Sequence, residues 1–410
     1  MRAPATQGRI AYLESIRGLA ALQVVLLHFL TATMPQLVFF SAGTWNAFDY
    51  VHASPVFLLY DGQSAVYIFF VLSGYVLTGA FARQVESPLK AALARVARLG
   101  VPAFAAVVFA AAFFLVFGGV NLEAGGALNS NFLRDNWLAD PSIAGIARES
   151  LFNALFVGYR PLGLFASTAP SLAMPMSQSL DSPLWTLSFE FYGSLLVLAL
   201  CWIGSRSARS AALAAALCAV VLIRNPLADF VVGYGLARIR FASAAPKLPA
   251  GFAILCVAIG GLICVKSELT VFLGASKLCG ADVDWMFACL SAVNLQKSYG
   301  AMLVFIGVTQ LAALRRWLAC EPLTYLGKLS FPLYLTHWPV IFGLGAFLVA
   351  QIAPRGGIFA ATAVCFAVMV VVCFAFARLF SQVDRFSMRL SRQIGASATQ
   401  AAVVPAFRAG

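Results

Sequence analysis

The chain has 410 residues, 61% of them hydrophobic and only 11% charged, with a mean hydropathy of +0.87. That balance excludes an ordinary soluble domain, and the long apolar runs, which do not alternate, exclude an outer-membrane β-barrel. The formal net charge of +12 falls in short clusters beside apolar segments, with no basic face interleaved with aromatics, so it indicates a membrane surface and not nucleic acid.

Spans of roughly 17 to 25 apolar residues predict an all-α, polytopic transmembrane helix bundle of about ten helices. The first runs from Leu13 to Met34, followed by a loop holding Trp45, Asp49, His52 and Asp61. The first run has no cleavage pattern at its end and reads as a retained span. The second covers Ser64 to Ala82; a basic segment, Arg83 to Arg98, leads to the third, Val101 to Val120. The longest polar stretch, Asn121 to Ser182, is broken by Pro141, Pro161, Pro170 and Pro175. Within it, Leu151 to Phe156 is compatible with a short interfacial helix.

The fourth span is Leu184 to Ile203, and the short fifth and sixth, Ser210 to Ile223 and Leu227 to Ile239, flank Arg224-Asn225-Pro226. The seventh is Ala250 to Val265 and the eighth Tyr299 to Leu314, around a second polar loop from Lys266 to Lys297. In that loop Cys279 and Cys289 are spaced to permit a disulfide on an oxidising side of the membrane. The ninth and tenth spans are Leu329 to Ala350 and Ile358 to Leu379. Residues 1–380 thus read as one transmembrane domain and 381–410 as a basic, partly disordered cytoplasmic tail.

With the N-terminus cytoplasmic, 20 of the 28 lysines and arginines lie inside. The positive-inside rule therefore favours both termini in the cytoplasm and Asn121–Ser182 outside. The cysteines lie mainly in apolar runs as small hydrophobes, and no Cys/His spacing suggests a metal site.

The first span carries two ionisable groups that an anchor does not need. Arg17 and His28 are eleven residues apart, about three turns plus roughly 20°, so they share one helix face and stand about 16 Å apart along it. Arg17 alone fits a headgroup anchor. His28, deep in the span, points to a cavity or a partner, since an intramembrane ionisable group is costly.

Five stretches then fall into one pattern. Glu14-Ser-Ile-Arg17-Gly18-Leu-Ala-Ala with His28 beyond it resembles the first-helix motif of the acyltransferase-3 family of integral-membrane acyltransferases. Phe69-Phe70-Val-Leu-Ser73-Gly74-Tyr75 resembles its second-helix motif, and Arg95-Val-Ala-Arg98-Leu-Gly-Val-Pro102 its basic entry to the third helix. Pro183-Leu-Trp185-Thr-Leu-Ser188-Phe-Glu190 and Tyr325 through His337-Trp338-Pro339 are similar to two later motifs. Their order is the family's, from about Ile10 to Ile341. The resemblance implies transfer of an acyl group, often acetyl, from cytoplasmic acyl-CoA to a hydroxyl of a glycan or lipid-linked saccharide, in a bacterial inner membrane.

The residues suit that chemistry. A neutral hydroxyl needs a base, and His28 is the side chain best fitted to serve near neutral pH. Glu190, six residues from the outer end of its own span, is expected at a similar depth, orienting His28. Arg17, Arg95 and Arg98, at the expected cytoplasmic surface, suit the donor's phosphates. His337 fits either a contact to the donor thioester or a satisfied bundle histidine. Ser73 and Gly74 fit a close helix approach, and His52 is read as non-catalytic. No Gly-x-Ser-x-Gly appears, so direct transfer is expected without an acyl-enzyme. The rival class is a transporter of a small anionic solute; it predicts inverted repeats and matched broken helices, and no internal repeat is visible.

Overall fold

The computed structural model describes residues 7–41, 44–162, 170–241, 249–272 and 292–395. The last residues of the tail and the pair Cys279 and Cys289 lie outside them. In chain order the helices are α1 (Gln7–Thr33), α2 (Ala47–His52), α3 (Gly62–Phe81), α4 (Pro88–Phe117), α5 (Val120–Leu128), α6 (Asn131–Asp135) and α7 (Ile143–Arg148). Then come α8 (Trp185–Gly204), α9 (Ala208–Val221), α10 (Leu227–Phe241), α11 (Ala250–Phe272), α12 (Ala292–Gln310), α13 (Ala312–Leu318), α14 (Glu321–Val340) and α15 (Ala346–Gly395). Strands are confined, among the described residues, to a parallel pair of two residues each, β1 (Tyr159–Arg160) and β2 (Met174–Pro175).

Local chemistry sets several boundaries. Asp61 caps α3 by accepting from Ser64 N at 3.2 Å, and Pro88 opens α4 where its missing N–H costs no hydrogen bond. Gly357 at φ 78 breaks the helical run that follows α14. Five helical runs are long and apolar enough to cross a membrane, or six if the bent pair Val293–Gln310 and Ala312–Leu318 counts as one span; Ala208–Val221 and Ala250–Lys266 are shorter apolar helices. The expected ten therefore exceed what length and apolarity establish among the described residues. Two causes are visible. The segments around Arg224-Asn225-Pro226 are short, and the ninth and tenth expected spans fall in one helical run from Glu321 to Gly395.

Two other boundaries move. The third expected span starts at Pro88 and not at Val101, which takes Arg95 and Arg98 inside α4. The last helix continues through Gly395, so residues 381–395 are helical, and Asp384 and Ser387 within them are buried.

The bundle is held by close helix pairs: α1 on α14, α3 on α10, α4 on α15 and α11 on α12. At the α1–α14 crossing Gly18 meets Gly327, where a Cβ on Gly18 would stand 2.6 Å from Gly327 N. Ten residues further along both helices, His28 meets His337. Contacts at equal steps along both chains show that α1 and α14 run parallel. A buried ion pair, Lys297 to Asp61 at 2.9 Å, ties the start of α3 to α12.

Between α4 and α8 the chain folds over one end of the bundle. Trp137 donates its indole N–H to Leu180 O at 2.9 Å, and a π-helical segment, Glu149–Val157, buries Ala154 and Leu155 while exposing Leu151 and Phe152. Glu149 is buried and ringed by donors: Ser179 Oγ at 2.5 Å, Leu180 N at 2.8 Å, Asp181 N at 3.2 Å and the Tyr159 hydroxyl at 3.2 Å. Asp181 beside it is fully buried, and neither of its carboxyl oxygens has a hydrogen-bond partner. Burial, and then the neighbouring Glu149, push the Asp181 carboxyl well above its ordinary range; burial raises Glu149 too, against the pull of its donors.

A carboxyl raised in the folded state binds its proton more tightly there than in the unfolded chain. Its contribution to stability is then complete below the ordinary carboxylate range and is lost as pH rises through the raised value. Asp181→Asn keeps the neutral form at every pH. It is expected to raise the thermal midpoint at neutral and alkaline pH, with the gain shrinking towards pH 4. A midpoint lowered equally across the range would sink this account.

Candidate active site

A cavity of about 640 Å³ opens between α1, α3, α4, α8, α10 and α14. One end is lined by arginines: Arg17 from α1, Arg95 and Arg98 from α4, Arg83 just past α3, and Arg240 in the last turn of α10. Its walls are mostly apolar, with Ala20, Ala21 and Val24 of α1 facing Ala65, Val66 and Phe69 of α3. The arginines come from the N-terminal halves of α1 and α4, from just past the end of α3 and from the last turn of α10, which is one side of the bundle.

Three of these arginines are held by carboxylates. Arg17 lies 2.5 Å from Glu14 and also donates to Ser330 Oγ at 2.9 Å and Gly327 O at 3.1 Å. Arg95 reaches Glu190 at 3.2 Å, and Ser73 donates its hydroxyl to the same carboxylate. Arg98 bonds to Asp384 at 2.6 Å and Ser387 Oγ at 2.9 Å. Glu190 is therefore a partner of α3 and α4 at the cavity wall, and the structure does not bring it to His28.

The partner of His28 is His337. His28 Nδ1 and His337 Nε2 are 2.8 Å apart, with the rings stacked at 5.1 Å and 4° between their planes. Neither histidine lines the arginine cavity, but Val24, one turn before His28, and Tyr334, one turn before His337, both do. The pair thus stands just beyond the cavity's inner end. Trp338 meets the His28 ring edge-on at 5.2 Å, Phe132 of α6 stacks over it at 6.3 Å, and Trp338 Nε1 is buried without a hydrogen-bond partner.

The pair's protons can be assigned from its neighbours. His337 Nδ1 lies 2.7 Å from the Tyr334 carbonyl oxygen, which only accepts, so His337 Nδ1 carries a proton. In a neutral imidazole Nε2 is then an acceptor, and His28 Nδ1–H donates to it. That leaves His28 Nε2 with its lone pair free. One histidine orders the other, and the second is left as a base.

Several residues were not singled out from the sequence. Arg83 and Arg240 stand outside the five motif stretches, yet both fall at helix ends and line the same cavity as Arg17. Asp384 falls in the stretch that the sequence marks as tail; a lone acid among Arg378, Arg385 and Arg389 is the signal that singles it out. His52 is buried at the end of α2, its Nδ1 at 3.2 Å from Leu37 O, apart from this site. Among the described residues no His/Cys/Asp/Glu group could hold a metal ion.

A family model described as an acyltransferase domain matches residues 10–378 of the chain. No curated protein and no solved structure matches it.

Proposed function

Because the chain belongs to the acyltransferase-3 family of membrane acyltransferases, we propose that it moves an acyl group, acetyl first among candidates, from cytoplasmic acyl-CoA to a hydroxyl of a surface or lipid-linked saccharide. One observation carries the reading: an arginine-lined, apolar-walled cavity ends one helical turn short of a histidine pair with a free lone pair. The donor's phosphates lie among Arg17, Arg95, Arg98 and their neighbours, its apolar arm runs along the face of α1, and its thioester comes to His28. The family match also makes this a multi-pass membrane protein; we place it in a bacterial inner membrane, with both termini cytoplasmic and about ten spans.

His28 is the general base and His337 its positioning residue; His337 stands outside the donor cavity, which argues against its gripping the donor. His28 Nε2 takes the acceptor's hydroxyl proton as the new ester C–O bond forms on the thioester carbonyl. The positive charge then gained by His28 is shared towards His337 through the 2.8 Å bond. As the C–S bond breaks, the same nitrogen returns the proton to the departing sulfur. Glu190 acts at a distance from this step, fixing Arg95 and joining α3 to α4. A solute transporter explains neither the family match nor a histidine with an ordered free lone pair.

Release of free CoA thiol by the detergent-purified protein tests the reading directly. Acetyl-CoA should be turned over only when a hydroxyl-bearing saccharide is added, and cells lacking the gene should show loss of one acyl substituent from their surface glycans by mass analysis. Unaltered glycans together with no acceptor-dependent CoA release would remove the assignment.

A further inference from the structure

We infer that the net positive charge that draws the donor's phosphates into the cavity is supplied by Arg83 and Arg240, two residues outside the motif stretches, and that Arg17, Arg95 and Arg98 serve mainly to shape the site. The inference rests on the acyl-CoA reading above and deepens it.

The argument is one of charge. Arg17, Arg95 and Arg98 each face a carboxylate of the protein itself: Glu14 at 2.5 Å, Glu190 at 3.2 Å and Asp384 at 2.6 Å. Three guanidiniums against three carboxylates make a neutral set. Its members also bridge elements: Arg17 joins α1 to α14, Arg95 joins α4 to α8, and Arg98 joins α4 to the last helix. A cation already matched by an anion at contact distance attracts a second anion weakly, because the two fields cancel beyond a few ångströms.

Arg83 and Arg240 differ. Both line the same cavity, and among the described residues no carboxylate stands within ion-pair distance of either. Arg83 is exposed just beyond α3. Arg240 is half-buried with the hydroxyl of Tyr75 near it, a neutral neighbour that leaves its charge uncancelled. Together they form the charge excess of the cavity's cytoplasmic end. The ligand chemistry this suits is a multiply charged phosphate ester attached to a long, mostly apolar arm, since guanidinium groups take phosphate oxygens two at a time.

The test is calorimetric titration of the full-length, detergent-purified protein with CoA at several NaCl concentrations. Arg83→Ala and Arg240→Ala should each weaken CoA binding about tenfold, and the double variant about a hundredfold. The double variant should also lose most of the salt dependence that the parent shows. Arg240→Lys, which keeps the charge, should retain most of the affinity, and this separates loss of charge from loss of fold. A double variant binding CoA within threefold of the parent, with its salt dependence intact, would overturn the inference while leaving the donor reading in place. A parent protein that binds no CoA would overturn both.

Discussion

His28→Gln is expected to reduce acyl transfer about a hundred- to ten-thousandfold, the range for loss of a positioned general base. Glutamine keeps size and polarity and can still hydrogen-bond to His337, yet it presents no basic nitrogen to the acceptor. CoA binding should remain near the parent value, since His28 stands beyond the arginine cavity and acts on the acceptor in the transition state. A histidine that only filled space in the bundle would give the reverse result, with turnover preserved or improved by removing a polar group. Turnover in membranes matched for protein level decides between them; a His28→Gln enzyme keeping more than about a tenth of the parent rate has no general base at this position.

The second large effect belongs to His337. His337→Ala removes the acceptor for His28 Nδ1–H, so the imidazole is free to place its proton on the nitrogen that must be basic. Turnover should fall about ten- to a hundredfold, as for loss of a residue that orders a functional histidine, with the KM for acyl-CoA little changed. His337→Gln offers a carbonyl oxygen in reach of the same N–H and should recover part of the rate. If the donor KM rises and turnover at saturating donor is unchanged, His337 grips the donor and the positioning role is lost.

How much of this was legible in the sequence varies with the kind of geometry involved. The shared face of Arg17 and His28 was readable, because both lie on one helix whose period fixes their relation. The pairing of His28 with His337 was not: it joins residues 309 apart in the chain, and a single sequence carries no register between helices. Glu190 was expected near His28 on the strength of depth alone. Depth does not set direction, and its carboxylate faces α3 and α4. The start of α4 shows a different limit. Hydropathy begins a span where charges end, yet Arg95 and Arg98 enter the bundle because Glu190 and Asp384 are there to meet them. Paired charges are tolerated where single ones are not. The same reasoning explains why the last helix outruns its apolar stretch: Asp384 and Ser387 give its polar end something to hold.

The parallel course of α1 and α14 has a mechanical consequence. The two helices touch at Gly18 and Gly327, and each carries its histidine ten residues, roughly 15 Å, further on. They behave as the arms of a calliper whose hinge is the bare backbone contact and whose jaws are the imidazoles. Widening the hinge by the breadth of one methyl group tilts or translates both arms, and a 2.8 Å hydrogen bond cannot follow a displacement of an ångström. A side chain at Gly18 or Gly327 would thus reach the proton-transfer step from the far end of the rods, without touching donor, acceptor or histidine. The two glycines set the gauge to which the histidine pair is closed.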